Sequence, residues 1–208
     1  MKNFDNSFLS EKIKIIAGTD EVGRGPLAGP VVAASVIFSN DRIIVGVNDS
    51  KKMTEIQREK LFPEIISSAL CVGISVISHG KIDKINILQA SLLGMKTAVN
   101  RLKIKPDLVL IDGNKTFSSN IKTIAVVKGD SRSFAIASAS IVAKVVRDRI
   151  MKRLDKYFPQ YLWAKNKGYP TKEHIDAVKL YGPSQLHRKS FLRNILSDYY
   201  YENFEINI

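Results

Sequence analysis

Apolar positions along the chain follow two rhythms. Ile13–Ile16 and Val31–Phe38 are short runs rich in β-branched residues, separated by GTDEVGRGPLAGP, in which glycine and proline end regular structure. Thr54-Glu55-Ile56-Gln57 reads as a capping box, a hydroxyl and an amide exchanging hydrogen bonds with the first free backbone amides, and it opens a helical pattern ending near Ala69. Cys71–Ile77 reads as a third strand. Ile85, Leu88, Leu92, Met95, Val99 and Leu102 then step by three or four, which places them in one apolar stripe of a long helix. Leu108–Ile111 and Thr123–Val127 are two further buried-strand signals. From Ser131 to Leu154 the chain is alanine-rich and then charged, and shorter helices are expected from Thr171 onward. Strands first, then strands alternating with helices, predict an α/β domain with a mixed sheet and a helical C-terminal part. The expected division is a core over 1–155 and an appended, not independent, part over 156–208.

Composition excludes several classes. A hydrophobic share of 45% and a charged share of 25% in 208 residues suit a globular chain with its own core. Val31–Phe38, the longest apolar stretch, is far short of the roughly 20 residues that a membrane span needs. The first residues carry no apolar signal core. With one cysteine, Cys71, no internal disulfide can form, so a reducing cytoplasm is the expected compartment. The net charge of +12 suggests a polyanionic partner. Residues 1–140 hold 19 bases and 13 acids, residues 141–195 hold 13 bases and 4 acids, and 196–208 return three negative charges. Tyr157, Phe158, Tyr161, Trp163, Tyr169 and Tyr181 are interleaved with that basic stretch, either as core anchors or as surfaces for sugars and bases.

Acids directly follow apolar runs at three places: Asp20 and Glu21 after IAGT, Asp112 after LVLI, and Asp130 after AVVKG. Groups beyond strand ends line the usual crevice of α/β sheets, and carboxylate oxygens suit Mg²⁺ or Mn²⁺. Asp112-Gly113-Asn114 also reads as a turn and Asp130 as a helix cap. Adjacent side chains on a regular strand point to opposite faces, so Asp20 and Glu21 reach one metal only where the strand ends or bulges. Gly23-Arg24-Gly25-Pro26 lets backbone amides approach a ligand closely, with Arg24 available for a phosphate; it also reads as a tight turn with a solvated arginine. It matches neither the dinucleotide fingerprint nor the P-loop.

The whole segment IAGTDEVGRGPLAGPVVAA resembles the N-terminal signature of the bacterial type 2 ribonuclease H family, ribonuclease HII. The resemblance continues in order through Asn48-Asp49-Ser50-Lys51-Lys52, INILQAS from Ile85, Asp112-Gly113-Asn114, Lys128-Gly129-Asp130, ASIVAKVVRDR from Ala139, KGYPTKEH from Lys167 and HRKSF from His187. It covers residue 15 to about residue 192. Met53 stands where the family usually has leucine, and Gln185-Leu186 where a proline is common. The resemblance implies a ribonuclease H-like fold with a mixed five-stranded sheet flanked by helices. It implies a metal-dependent endonuclease, using Mn²⁺ or Mg²⁺, that hydrolyses the RNA strand of RNA–DNA hybrids and cuts 5′ of single ribonucleotides in duplex DNA, leaving 3′-hydroxyl and 5′-phosphate ends. By motif position, Asp20, Glu21, Asp112 and Asp130 carry over as the metal site. Gly23, Arg24 and Gly25 carry over as the loop that meets the ribose 2′-hydroxyl, and Tyr169 as its partner. Such an enzyme is expected to be a cytoplasmic monomer without membrane contact.

Other residues weigh less. His79, His174 and His187 have no zinc-ligand spacing with Cys71, which itself reads as core. His187-Arg188 reads as a phosphate contact or a structural pair. Lys144, Arg147 and Arg149 share a helix and are expected to contact the duplex backbone. A non-catalytic nucleic-acid binder is the competing function, but anionic groups facing phosphate serve a binder only when metal neutralises them. Another nuclease of the same fold would not be expected to combine the glycine–arginine–glycine loop with the KGY motif.

Overall fold

In the computed structural model, which describes residues 1–200, five strands form one sheet. β2 (Val31–Ile37) pairs antiparallel with both β1 (Ile16–Val22) and β3 (Cys71–Ile77). β4 (Leu108–Asp112) and β5 (Lys122–Val126) extend the other side of β1 in parallel, giving the order 3-2-1-4-5. Eight α-helices accompany it among the described residues: α1 (Lys2–Asn6), α2 (Glu55–Ser68), α3 (His79–Asn100), α4 (Gly129–Arg132), α5 (Phe134–Asp155), α6 (Trp163–Asn166), α7 (Lys172–Tyr181) and α8 (Lys189–Tyr200). The expected mixed sheet, flanking helices and helical C-terminal part are all present. Part of the negative tail counted from the sequence, 201–208, lies outside the described residues.

The period of two along β2 sorts its side chains between two cores. Val32, Ala34 and Val36 pack with Val142 and Val145 of α5, whereas Ala33 and Ile37 pack with Met95, Ala98 and Val99 of α3. A strand covered on both faces has no polar side, which is why Val31–Phe38 lacks the alternation of a half-exposed strand. Two glycines let the layers close. A Cβ on Gly18 of β1 would lie 2.3 Å from the backbone of Ala135 in α5, and one on Gly73 of β3 would lie 2.0 Å from the carbonyl of Ala98 in α3.

The capping box is present as read, with Thr54 and Gln57 bonded reciprocally at the start of α2. Two expectations shift. The stripe from Ile85 lies on a helix broken near its start: Asn86 has φ 64°, and its side chain accepts from Gln89 N, capping the long second segment. β1 begins at Ile16, where Ile13–Ile16 was expected as the strand, because Asp107 takes the amides of Lys14 and Ile15. It then continues through Thr19, Asp20 and Glu21, with the Thr19 hydroxyl donating to the Ala34 carbonyl. The acids therefore stand within β1, not after it.

The C-terminal part shares its core with the rest of the chain. Tyr161, Trp163, Val178 and Leu192 pack with Met151 of α5 and with Leu27 and Ala28 of the glycine-rich segment. Tyr161 and Trp163 are thus core anchors, whereas Tyr157, Tyr169 and Tyr181 reach the surface.

Candidate active site

Pairing between β1 and β4 stops at Thr19 with Ile111, while β1 stays paired with β2 through Val22 and β4 with β5 through Asp112. A notch therefore opens in the sheet beyond that rung. Asp20 and Glu21 stand on one side of it and Asp112 on the other. The β1–β2 ladder is regular here, so the acids are freed by the departure of β4 and not by a bulge; the glycine that ends the strand, Gly23, comes later. The Asp20 carboxylate is buried and accepts from the Glu21 amide at 2.7 Å. The hydroxyl of Ser140, on α5, also bonds to Asp20, and lies 2.8 Å from that of Ser50.

Asp112 Oδ1 accepts from the amides of Gly129 (2.7 Å) and Asp130 (3.3 Å), which brings the fourth acid to the notch. This turn needs Lys128 in the left-handed region at φ 54° and no side chain at residue 129, where a Cβ would lie 3.0 Å from Asp112 Oδ1 and 2.6 Å from Ile136 Cδ1. Asp130 is buried inside α4 and not at its cap, and its Oδ2 meets Lys51 Nζ at 3.0 Å. Glu21 meets Arg24 at 3.5 Å.

Burial and neighbouring charge raise three of these acids. Burial raises Asp20 well above the usual carboxylate range, with the charges of Glu21 and Asp112 adding to it. Burial raises Glu21 to about 7, with Arg24 opposing and Asp112 adding. Asp112 is raised by burial and by the charge of Asp130, against the two amide bonds it accepts. Clustered carboxylates favour protons in this way when no cation shares them, and a divalent cation removes the cost. Donor chemistry and charge thus fit a hard divalent ion. Among the described residues, no three His, Cys, Asp or Glu side chains close on a common metal-binding point. The outer acids are turned to Arg24 and Lys51 instead.

Beyond β1 the chain turns through Gly23, at φ 106°, where a Cβ would lie 2.3 Å from Arg147 Nε. Gly23 is buried, and Arg24 and Gly25 are exposed. The C-terminal part clasps this loop through its backbone: Leu27 N donates to Gly168 O, Gly29 N to Leu186 O, and Arg188 N to Leu27 O. This brings the Tyr169 ring to Gly25, whose Cβ position lies 3.6 Å from Tyr169 Cε1. The loop and the tyrosine singled out in the sequence are therefore neighbours.

Lys144 and Arg147 need correction as duplex contacts. Arg147 is fully buried and donates to the carbonyls of Pro30 (2.9 Å), Lys167 (2.9 Å) and Ala28 (3.3 Å). Lys144 is mostly covered and pairs with Asp148 at 2.7 Å. Their helix face looks inward because the alanines and valines beside them pack on the sheet. Arg149 is exposed but paired with Glu59 at 2.5 Å. Arg188, read as a phosphate contact or a structural residue, is also fully buried. Sequence reasoning assigned no role to Lys51 or Ser140, although both stand inside matched motifs; only the fold shows which acid each one faces.

The family model described as Ribonuclease HII matches residues 17–194. Ribonuclease HII of Acetivibrio thermocellus is 54% identical over 183 residues, covering 88% of this chain and 72% of that protein. Among solved structures, the ribonuclease H2 of Pyrococcus horikoshii OT3 superposes with a TM-score of 0.74 at 28% identity, covering 88% of this chain and 97% of that one. Bst-RNase HIII in complex with Mn²⁺ shares the fold with a TM-score of 0.64 at 16% identity, covering 90% and 71%.

Proposed function

Because the chain belongs to the ribonuclease HII family, we propose that it hydrolyses the RNA strand of RNA–DNA hybrids and cuts 5′ of single ribonucleotides embedded in duplex DNA, leaving 3′-hydroxyl and 5′-phosphate ends. The observation that carries this reading is the gathering of Asp20, Glu21, Asp112 and Asp130 around one notch, where burial and neighbouring acids raise the proton affinity of Asp20, Glu21 and Asp112. These four would hold Mg²⁺ or Mn²⁺. When bound, such ions activate a water and neutralise the charge developing on the leaving 3′-oxygen.

The chain's own groups supply the rest. Asp112 is oriented by two backbone amides and Asp20 by the Glu21 amide and Ser140, so these two acids are fixed on either side of the notch. Lys51 and Arg24 offer positive charge at the edges of the notch, toward a substrate phosphate. Gly23, Arg24 and Gly25 present backbone donors to the ribose 2′-hydroxyl, and Tyr169 packs on the neighbouring sugar. The 1–155 region supplies the chemistry, and the part that follows supplies, through Gly168, Leu186 and Arg188, the clasp that completes recognition. No helix among the described residues is long and apolar enough to cross a membrane. Our reading has the enzyme working as a cytoplasmic monomer on hybrid and on ribonucleotide-containing DNA.

The test is incubation with a DNA duplex holding one ribonucleotide, with Mg²⁺, with Mn²⁺ and with chelator. Cleavage 5′ of the ribonucleotide in either ion, and none of an all-DNA duplex, is expected. Failure to cut in both ions, or equal cutting of plain DNA, overturns the reading.

A further inference from the structure

Two arginines lie under the recognition loop with no exposed surface. Arg147 reaches it from α5, and Arg188 from the segment before α8. Every hydrogen bond they make goes to a backbone carbonyl. Arg188 Nη2 donates to Gly23 O (2.7 Å) and Gly29 O (2.9 Å), Nη1 to Arg24 O (3.0 Å), and Nε to Gly29 O (3.0 Å). Arg147 takes Pro30, Ala28 and Lys167. Among the described residues, neither guanidinium forms an ion pair. A buried charge without a counter-charge is costly and is kept only where its hydrogen bonds are fully used.

The geometry of the peptide unit gives this arrangement a directional consequence. All peptide bonds here are trans, so each N–H points opposite to the C=O of its own unit. Turning the carbonyls of Gly23 and Arg24 inward to Arg188 turns the amides of Arg24 and Gly25 outward. Both residues are exposed, and among the described residues neither amide has a partner within the chain. Two adjacent free donors on a solvent-facing loop, backed by two buried positive charges, suit an oxygen acceptor.

We propose that Arg147 and Arg188 are positioning residues for substrate choice: they turn the loop carbonyls inward so that the Arg24 and Gly25 amides stand ready for a ribose oxygen. Neither arginine touches substrate. The proposal rests on the reading above that this loop meets the ribose. It also explains why Gly23 carries no side chain, since a Cβ there would meet Arg147 at 2.3 Å.

The guanidinium fork is what orients two carbonyls at once, and an ammonium keeps the charge without that geometry. Arg188→Lys is therefore the informative variant, with Arg147→Lys as the second should the first fail to fold. Selectivity is read as the ratio of kcat/KM on a single-ribonucleotide duplex to that on a long hybrid. The expected result is a fall of at least tenfold in a variant that keeps its wild-type circular dichroism. An unchanged ratio in a folded variant overturns the proposal. If Tyr169→Phe also leaves the ratio unchanged, the recognition reading itself has failed; if Tyr169→Phe lowers it and the lysine variants do not, only the arginine role has. A measurement on the unaltered protein needs no variant: the Arg24 and Gly25 amides must exchange with solvent as freely as unbonded ones. Protection of both would show that they do not face outward.

Discussion

Asp20 concentrates the conflict of the site in one side chain: a carboxylate kept 4% exposed, with two further acids acting on it. Replacing it with Asn removes the repulsion and the buried charge while keeping the shape. Without metal, Asp20→Asn should be about 1–2 kcal/mol more stable than the parent, raising Tm by roughly 2–8 °C. Turnover should fall by orders of magnitude, because a neutral amide is a poor ligand for a hard cation. Calorimetry beside a cleavage assay checks both, and near-normal turnover in the stabilised protein would remove Asp20 from the metal site. Tyr169 poses a different question, since its ring rests against Gly25 and fills a structural role whether or not its hydroxyl bonds to substrate. Tyr169→Phe isolates that hydroxyl. A loss of about 1–3 kcal/mol, or roughly 5- to 150-fold in rate, is expected on a single-ribonucleotide duplex. The loss should be smaller on a long hybrid, which offers many registers.

At the scale of elements, α5 does the most. Its first turn lies against Gly18 of β1, Ser140 reaches Asp20, Arg147 supports the loop, and Met151 packs below Gly29, where a Cβ would come within 2.4 Å of its sulfur. Even its start is held from outside, because the Asp5 carboxylate of α1 accepts from the Ala135 amide at 2.9 Å. Moving α5 should therefore move the whole site. Gly18→Ala forces that movement, since its Cβ would meet backbone at 2.3 Å, where no rotamer offers relief. A destabilisation of about 3 kcal/mol or more and a Tm lower by at least roughly 6 °C are expected by thermal unfolding, with cleavage impaired in the folded fraction. The elements themselves were legible because periodicity and capping are local: Cys71–Ile77, the Thr54 box and the strand ahead of Asp112 all stand as read. The four acids were legible as motif positions. What local pattern does not carry is the direction in which a helix faces. Arg147 reads as a surface cation because most arginines are, and only the pairing of distant segments shows that carbonyls from Ala28, Pro30 and Lys167 surround it.

The whole molecule displays less charge than it counts. In the stretch 141–195, Arg147 and Arg188 are buried, and Lys144, Arg149, Lys152 and Lys165 are paired with acids, so exposed residues such as Arg153 and Lys156 carry much of what a polyanion would meet there. Acid stability is set elsewhere, by a chain of neutral rings in the C-terminal part. Trp163 Nε1 donates to His174 Nε2 at 3.0 Å, His187 Nε2 lies 3.1 Å from the same atom, and Ser184 N donates to His187 Nδ1 at 2.9 Å. The network therefore places the His174 proton on Nδ1, where it is donated to the Tyr169 carbonyl at 2.9 Å. Burial, then the neighbouring His174, lowers His187 to about 3, against 6.5 for a free imidazole. Burial lowers His174 as well. A pKa depressed on folding means that the unfolded chain takes the proton first, so this contribution is complete above pH 6.5 and is lost as pH falls toward 3. Between pH 7 and pH 4, where the raised acids of the notch act in the opposite sense, a His187→Gln variant should lose less Tm than the parent.

The clasp between the loop and the C-terminal part also sets an order in time. Arg188 bonds to the carbonyl of a residue 164 positions earlier in the chain. Translation at about 5–20 residues per second delivers it roughly 8 to 33 s after Arg24. All four acids leave the ribosome well before the segment that orients the loop. On the proposed reading, a nascent chain thus carries its candidate metal ligands before the segment that would orient its sugar-selecting loop.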